Sequence, residues 1–293
     1  MKYYLYTLLI AFMCMQTVTT AYAQSTENIV YKVAIGDITY TNKGEEKKTI
    51  GSALGMLAGA IVSGKKTKQQ DQYIDAVKSS IVKGFGNVRR FRTIEGSFLQ
   101  DEIAPEEPAF YVDGSIANIT TTSKTELSKI KDKPAQQYYK AIIGTTLNLK
   151  DAHTDEVINS CTFNITETDC GWVSTAEKAI NETLARLSAR ITNYYNDIYP
   201  LRASIIERGE IKKNKQKEVY IDLGSAYDAY EGQHFDIYLI KTIAGKNARI
   251  EIGRIKIKQV MGRELSLCKV TRGEDKVKTA LDGEETLMVV SRD

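Results

Sequence analysis

Two histidines, four cysteines, four prolines and one tryptophan are all that a chain of 293 residues offers of these types. His153 and His234 stand apart, and no Cys-x-x-Cys or Cys-x-x-His spacing occurs, so the usual ligand sets for zinc or a related metal are missing. A histidine-centred nucleophile and base are equally poorly supported: His153 falls in a hairpin turn, and His234 begins a strand with Asp236 on the same side but no identified nucleophile. No cofactor motif or small-molecule substrate site is legible. The formal net charge of +3, lowered by one if Lys2 is lost with residues 1–23, is too small for a dedicated nucleic-acid binder, which needs a basic stripe to displace counterions. Beyond the first residues, no run reaches the ~18 to 20 apolar residues of a membrane-spanning helix.

What is present begins with MKYYLYTLLIAFMCMQTVTTAYAQ. Lys2, the apolar core Leu5 to Met15 and the small-x-small series Ala21-Tyr22-Ala23 have the layout of a cleavable secretory leader. The expectation is export, with residues 1–23 removed and the mature chain periplasmic or associated with the outer membrane. Cys14 is preceded by Ala11-Phe12-Met13, too bulky for a lipoprotein cleavage site, so lipid attachment is not expected. An oxidising compartment leaves two readings of Cys161 and Cys170, which flank the turn-like Thr166-Glu167-Thr168-Asp169. One is a disulfide stabilising by about 2.5 kcal/mol, the other two separate half-buried thiols.

Periodicity divides the rest. Residues Asn28 to Ile38 read as a strand, Gln69 to Phe85 as a helix with Ile74, Val77, Ile81 and Phe85 on one face, and Val88–Ile94, Phe110–Ile119, Tyr138–Leu149 and Val157–Ile165 as strands. A helix from Thr175 to about Tyr199 carries the stripe Ile180, Leu184, Leu187, Ile191, Tyr194, Ile198, starts at a Ser174–Glu177 capping box and stops at Pro200. The fold class expected for residues 24–199 is therefore α/β, an α/β sandwich with helices covering a sheet. Beyond Pro200 there is no helical period. Candidate strands Ala203–Ile211, Glu218–Ile221, His234–Ile243, Ala248–Val260, Leu265–Val270 and Thr286–Ser291, punctuated by glycines, suggest a small β-barrel domain over residues 200–293.

Gly51, Gly55 and Gly59, followed by Gly64, lie inside the apolar stretch IGSALGMLAGAIVSG. On a helix this spacing would gather the glycines on one face for close backbone approach, in an oligomer or at a membrane; a glycine-rich loop lying on its own domain is the alternative. The same stretch mimics a phosphate-binding loop up to Lys66, which stands where a metal-binding hydroxyl is needed. Trp172, Tyr194 and Tyr195 are expected to pack the long helix, while Glu106, Glu107 and the Lys212–Lys217 run are expected to be solvated loops.

Several segments resemble a known group. VYKVAIGDITYTNKG is similar to the opening strand and loop of the CsgG superfamily of curli assembly, which includes the penicillin-binding protein activator LpoB. FYVDGSIANIT resembles a strand of that group through Gly114 and Ile116, and TTLNLKDAHTDEVI resembles its hairpin, with Asp155 in place of the usual Gly. The segment from Val219 to Val270, with Gly224, Gly232 before His234-Phe235-Asp236-Ile237-Tyr238, and Ile252-Gly253-Arg254-Ile255, resembles the C-terminal domain of the flagellar assembly protein FlgT. The resemblance implies a non-enzymatic, exported envelope assembly or scaffold protein that self-associates or docks onto envelope proteins, with peripheral outer-membrane contact as a further option. An LpoB-like activator of an envelope enzyme is the alternative, and a periplasmic hydrolase is the alternative of another class.

Overall fold

The structure, a computed structural model, describes residues 28–41, 68–94, 103–104, 106–127 and 134–292. Residues 1–23, expected to be a leader, the stretch containing Gly51, Gly55 and Gly59, and the phosphate-loop mimic lie outside the described residues. The described chain is mostly β-sheet with few helices, and its apolar side chains gather in two clusters, one drawn from Val33 to Tyr195 and one from Leu201 to Val289.

The first cluster lies under a five-stranded sheet. Strands β1 (Tyr31–Tyr40) and β2 (Phe91–Ile94) are parallel, joined through helix α1 (Lys68–Gly86); β3 (Ala109–Glu126), β4 (Gln136–Asp151) and β5 (Val157–Ile165) follow, in the order β2-β1-β3-β4-β5. β3 runs parallel to β1, and β3, β4 and β5 are antiparallel neighbours. The alternation expected of a half-buried strand is plain in β4, where Ala141, Ile143, Thr145, Leu147 and Leu149 are buried while Ile142, Thr146, Asn148 and Lys150 on the other face are only half-buried. The buried face is covered by α1 and by α2 (Ala176–Ile198), which place Val77, Ile81 and Phe85 against Leu184, Leu187, Ile191 and Tyr195. Gly84 lets the helices approach: a Cβ there would lie 2.9 Å from Ile191 Cβ. The opposite face is polar, tied by Asn148 donating to Asp113 Oδ1 (2.8 Å), Ser160 donating to Asn148 Oδ1 (2.7 Å) and Lys150 to Asp113 (2.9 Å).

The start of α2 corrects the capping-box expectation. Thr175, extended at φ −140°, is the cap, and its hydroxyl accepts from the Lys178 amide at 3.2 Å. With the cap at Thr175, Lys178 occupies the third helical position, so Glu177 cannot reciprocate to Ser174 and instead places its charge in the first turn.

From Leu201 the chain builds a seven-stranded sheet. Its strands are β6 (Arg202–Ala203), β7 (Ile205–Arg208), β10 (Glu218–Ile221), β11 (His234–Ile243), β12 (Lys246–Val260), β13 (Ser266–Arg272) and β14 (Leu287–Arg292), in the order β6-β14-β11-β12-β13-β10-β7. A small hairpin, β8 (Ile211–Lys212) with β9 (Lys215–Gln216), stands beside it. The two edge strands, β6 and β7, are separated in sequence by Ser204 alone, so the chain itself bridges the gap and the sheet is nearly a closed barrel. The expected single strand 203–211 is thus two, because the chain changes edges at Ser204. A second correction is α3 (Glu274–Asp282), a helix in a region whose sequence shows no helical period; it buries Val277 and Ala280 between β13 and β14. Where the two parts meet, Asn28 donates to Arg202 O (2.7 Å) and accepts from the Arg202 amide (2.8 Å), and Arg92 approaches Asp228 at 3.5 Å.

Candidate functional site

β3 outlasts its neighbours. Its pairing with β1 ends at Tyr40 opposite Ile116, and β5 begins to flank β4 only at Ile143, so beyond a bulge at Ile116–Asn118 the chain continues as a two-stranded ribbon. Seven residue pairs, from Thr120 opposite Ile142 to Glu126 opposite Gln136, extend it by about 20 Å. Its β3 strand, Ile119-Thr-Thr-Thr-Ser-Lys-Thr-Glu126, lacks apolar alternation; β-branched threonines and cross-strand bonds hold it extended. Leu127 at the tip is 84% exposed.

The direction of each backbone group on this ribbon follows from one contact. Tyr139 exchanges both backbone hydrogen bonds with Val173, donating at 2.8 Å and accepting at 3.0 Å, on the side of β4 away from β3. Its partner Ser123 therefore belongs to a pair that makes no ladder bonds with it, and the Ser123 N–H and C=O also point outward. By alternation so do those of Thr121 and Thr125. The Ala141 carbonyl, opposite Thr121, confirms the parity by accepting from the Thr183 hydroxyl of α2 at 3.0 Å. One edge of the ribbon is thus covered by residue 173 and α2, while the edge at Thr121, Ser123 and Thr125 meets no strand among the described residues.

Around the ribbon's base, Trp172 is 36% exposed and sits beneath Lys124 Nζ (4.7 Å to the ring centre) and Lys140 Nζ (5.1 Å), with Lys124 also over Tyr138 (5.6 Å). Its ring meets these lysines of the ribbon. Its work is to fasten two strands of the ribbon through cation–π contacts. Tyr195 is fully buried and Tyr194 partly so, as expected of helix packing, and burial raises the Tyr195 hydroxyl well above the usual phenol range. Asp169 closes the turn leading to Trp172: its carboxylate accepts from the Thr166 amide (2.7 Å) and hydroxyl (2.8 Å) and meets Arg190, and these bonds hold its pKa below the ordinary value.

Cys161 and Cys170 are free thiols, so the disulfide reading is overturned in favour of two separate sulfurs. Cys170 Sγ lies 3.5 Å from Thr183 Oγ1, whereas Cys161 sits further up β5 beside Tyr195. Thr183 and Tyr195 are twelve residues apart on one helix, about 18 Å, well beyond the reach of a disulfide. Cys268 is buried inside the barrel, which pushes its thiol up to about 12.

The remaining candidates are scattered. His153 Nε2 contacts the Glu107 carbonyl at 2.8 Å in the β4–β5 turn, and Glu107 itself pairs with Lys32 at 2.7 Å instead of lying free in a loop. His234 is on the barrel exterior, so the structure does not bring the histidines together. Within the lysine run, Lys217 pairs with Glu274 (2.6 Å) and Lys215 with Asp275 (3.3 Å), tying the β8–β9 hairpin to α3; only Lys212 and Lys213 remain as solvated as expected. Among the described residues no group of three His, Cys, Asp or Glu side chains could hold a metal ion, and no helix is long and apolar enough to cross a membrane.

No family model matches the chain, and no curated protein matches it. Among solved structures it is similar to a neuraminyllactose-binding hemagglutinin homolog from Helicobacter pylori, at 12% identity and a TM-score of 0.32 over 58% of this chain and 82% of that one. It is also similar to the PelC dodecamer from Paraburkholderia phytofirmans, at 12% identity and a TM-score of 0.28 over 56% and 87% of the two chains. Neither likeness bears on what this chain does.

Proposed function

We propose that the chain is an exported cell-envelope assembly or scaffold protein that acts by association, with residues 24–199 forming a CsgG-like α/β sandwich and residues 200–293 a FlgT-like β-domain. The observation that carries this reading is the outward edge of β3. An ordered, projecting strand that presents Thr121, Ser123 and Thr125 backbone groups is a template for pairing with another strand, which natural sheets otherwise cover or blunt. A second copy fits it. Antiparallel pairing centred on Ser123 sets Thr121 opposite Thr125, Thr122 opposite Lys124 and Thr120 opposite Glu126, with no like charges facing and with favourable threonine pairs. The leader-like first residues and the CsgG and FlgT resemblances support the compartment, and the bonding of the ribbon to Val173, Trp172 and Thr183 supports a preorganised edge.

Ser123→Pro separates edge pairing from folding. Proline removes only an outward N–H there, so the ladder to β4 and the melting temperature should survive, whereas Thr122→Pro deletes an inward N–H and should break the ribbon. Light scattering on residues 24–293 is expected to show an oligomer whose association weakens at least tenfold in Ser123→Pro, each lost edge bond contributing about 1 kcal/mol. An unchanged oligomer would refute the edge. A strict monomer captured one-to-one by an envelope enzyme would support the LpoB-like alternative instead.

A further inference from the structure

The barrel carries a row of basic residues that no single stretch of sequence displays. Strand register places Arg292 of β14 opposite His234 of β11, His234 opposite Lys256 of β12, and Lys256 opposite Lys269 of β13, with Glu218 of β10 ending the row. All four basic residues are exposed, because their neighbours Phe235, Ile255, Ile257, Cys268 and Val270 point into the barrel. Lys256 and Lys269 face one another directly, an arrangement that costs stability, and neither has an ion-pair partner among the described residues. Of the nearby acids, Glu218 pairs with Lys258 (2.6 Å), Glu274 with Lys217 (2.6 Å) and Asp236 with Arg254 (2.8 Å) and, at 4.0 Å, with Arg292 of the row itself, while Glu231 shares a neighbouring cleft with Lys256 and Lys269. A cleft of about 540 Å³ beside the row is lined by five lysines, Lys212 and Lys213 among them, and by Glu210, Glu218 and Glu274.

We propose that this wall binds a linear acidic polysaccharide laid across the strands. The row spans three inter-strand steps, about 14 Å, with Arg or Lys on three of its four strands and His234 on the other. It also bends with the barrel: four of seven strands in a nearly closed sheet turn the row around a convex surface, which a flexible polymer can follow and a flat lipid surface touches only in part. None of the row's side chains is an apolar anchor for membrane insertion, and His234 is its one aromatic ring, short of a platform for successive bases. Lysines, as hydrated point charges, suit a polymer whose carboxylates are not fixed in one geometry. This inference is independent of the β3 edge.

The test is binding of polygalacturonate to residues 24–293 at low salt by calorimetry, beside single-stranded polythymidylate and phosphatidylglycerol vesicles. Polygalacturonate should bind most tightly, with affinity falling as salt rises. Lys256→Ala with Lys269→Ala should lose about 30-fold, two contacts of roughly tenfold-or-less each, without a lower melting temperature. The charge-matched pair Lys246→Ala with Lys276→Ala, remote from the row, should bind within a few-fold of the wild type. No binding by the wild type, equal loss in both double variants, or tighter binding to vesicles or polythymidylate would overturn the proposal.

Discussion

Phe91→Ala is expected to cost about 3–5 kcal/mol, a large share of the stability of an ordinary domain. Phe91 is fully buried at the start of β2, and five rings surround it: Tyr199 at 5.1 Å between centroids, Phe110 and Tyr195 at 5.8 Å, Phe85 at 6.0 Å and Tyr31 at 6.1 Å. These rings come from β1, β3, α1, α2 and the residue that caps α2, so the cavity left by truncation would open where these four elements converge on β2. Because they are held by each other and by helix backbone, collapse into the space would be limited, which puts the cost at the upper part of the usual range. Phe91→Leu, which keeps most of the volume, should cost roughly 1–2 kcal/mol. Denaturant titration followed by Trp172 fluorescence, the chain's one tryptophan, reads this cluster's own sheet. A loss below about 1 kcal/mol for the alanine variant would contradict the packing described.

A comparable loss, about 3–5 kcal/mol, is expected for Gly273→Ala in the barrel. Gly273 turns the chain from β13 into α3 at φ +77°, a region that costs an L side chain about 1–2 kcal/mol. Its added Cβ would also lie 2.0 Å from the Ile252 carbonyl oxygen and 2.8 Å from Gly253 Cα, both backbone atoms of β12 that cannot swing aside. Relief requires α3 to lift, withdrawing Val277 from the core. Gly232→Ala isolates the conformational part: its φ is +94°, but the nearest atom to a new Cβ is the mobile Lys256 Cε at 3.6 Å, so about 1 kcal/mol is expected. Equal effects of the two substitutions in thermal or denaturant unfolding would show that the close approach of α3 to β12 does not matter.

Elements that bury a stripe are legible from the amino-acid pattern alone. α1, α2, β4 and β5 are found within a few residues of their expected limits, since each carries enough apolar positions for its period to show. α3 escapes because nine residues give only Val277, Ala280 and Leu281 on one face, and the glycines that bracket it, Gly273 and Gly283, look the same as those of strand turns. The outer half of β3 escapes for the opposite reason. From Thr120 onward it buries almost nothing, its extension is stabilised by partner-strand bonds, and threonine-rich polar sequence is what a loop also looks like. The basic row is out of reach entirely: Arg292, His234, Lys256 and Lys269 come from four strands, and only their register makes them neighbours. Cys161 and Cys170 show the limit of spacing arguments, since nine positions in sequence place them here beside helix residues twelve positions apart, Tyr195 and Thr183.

Amide hydrogen exchange along residues 119–126, compared between dilute and concentrated protein, tests the association most directly. The account predicts that Thr121, Ser123 and Thr125 exchange freely when dilute and become protected on association, while Thr122 and Lys124, already bonded to β4, change little. Association that leaves all three outward amides in fast exchange would contradict it.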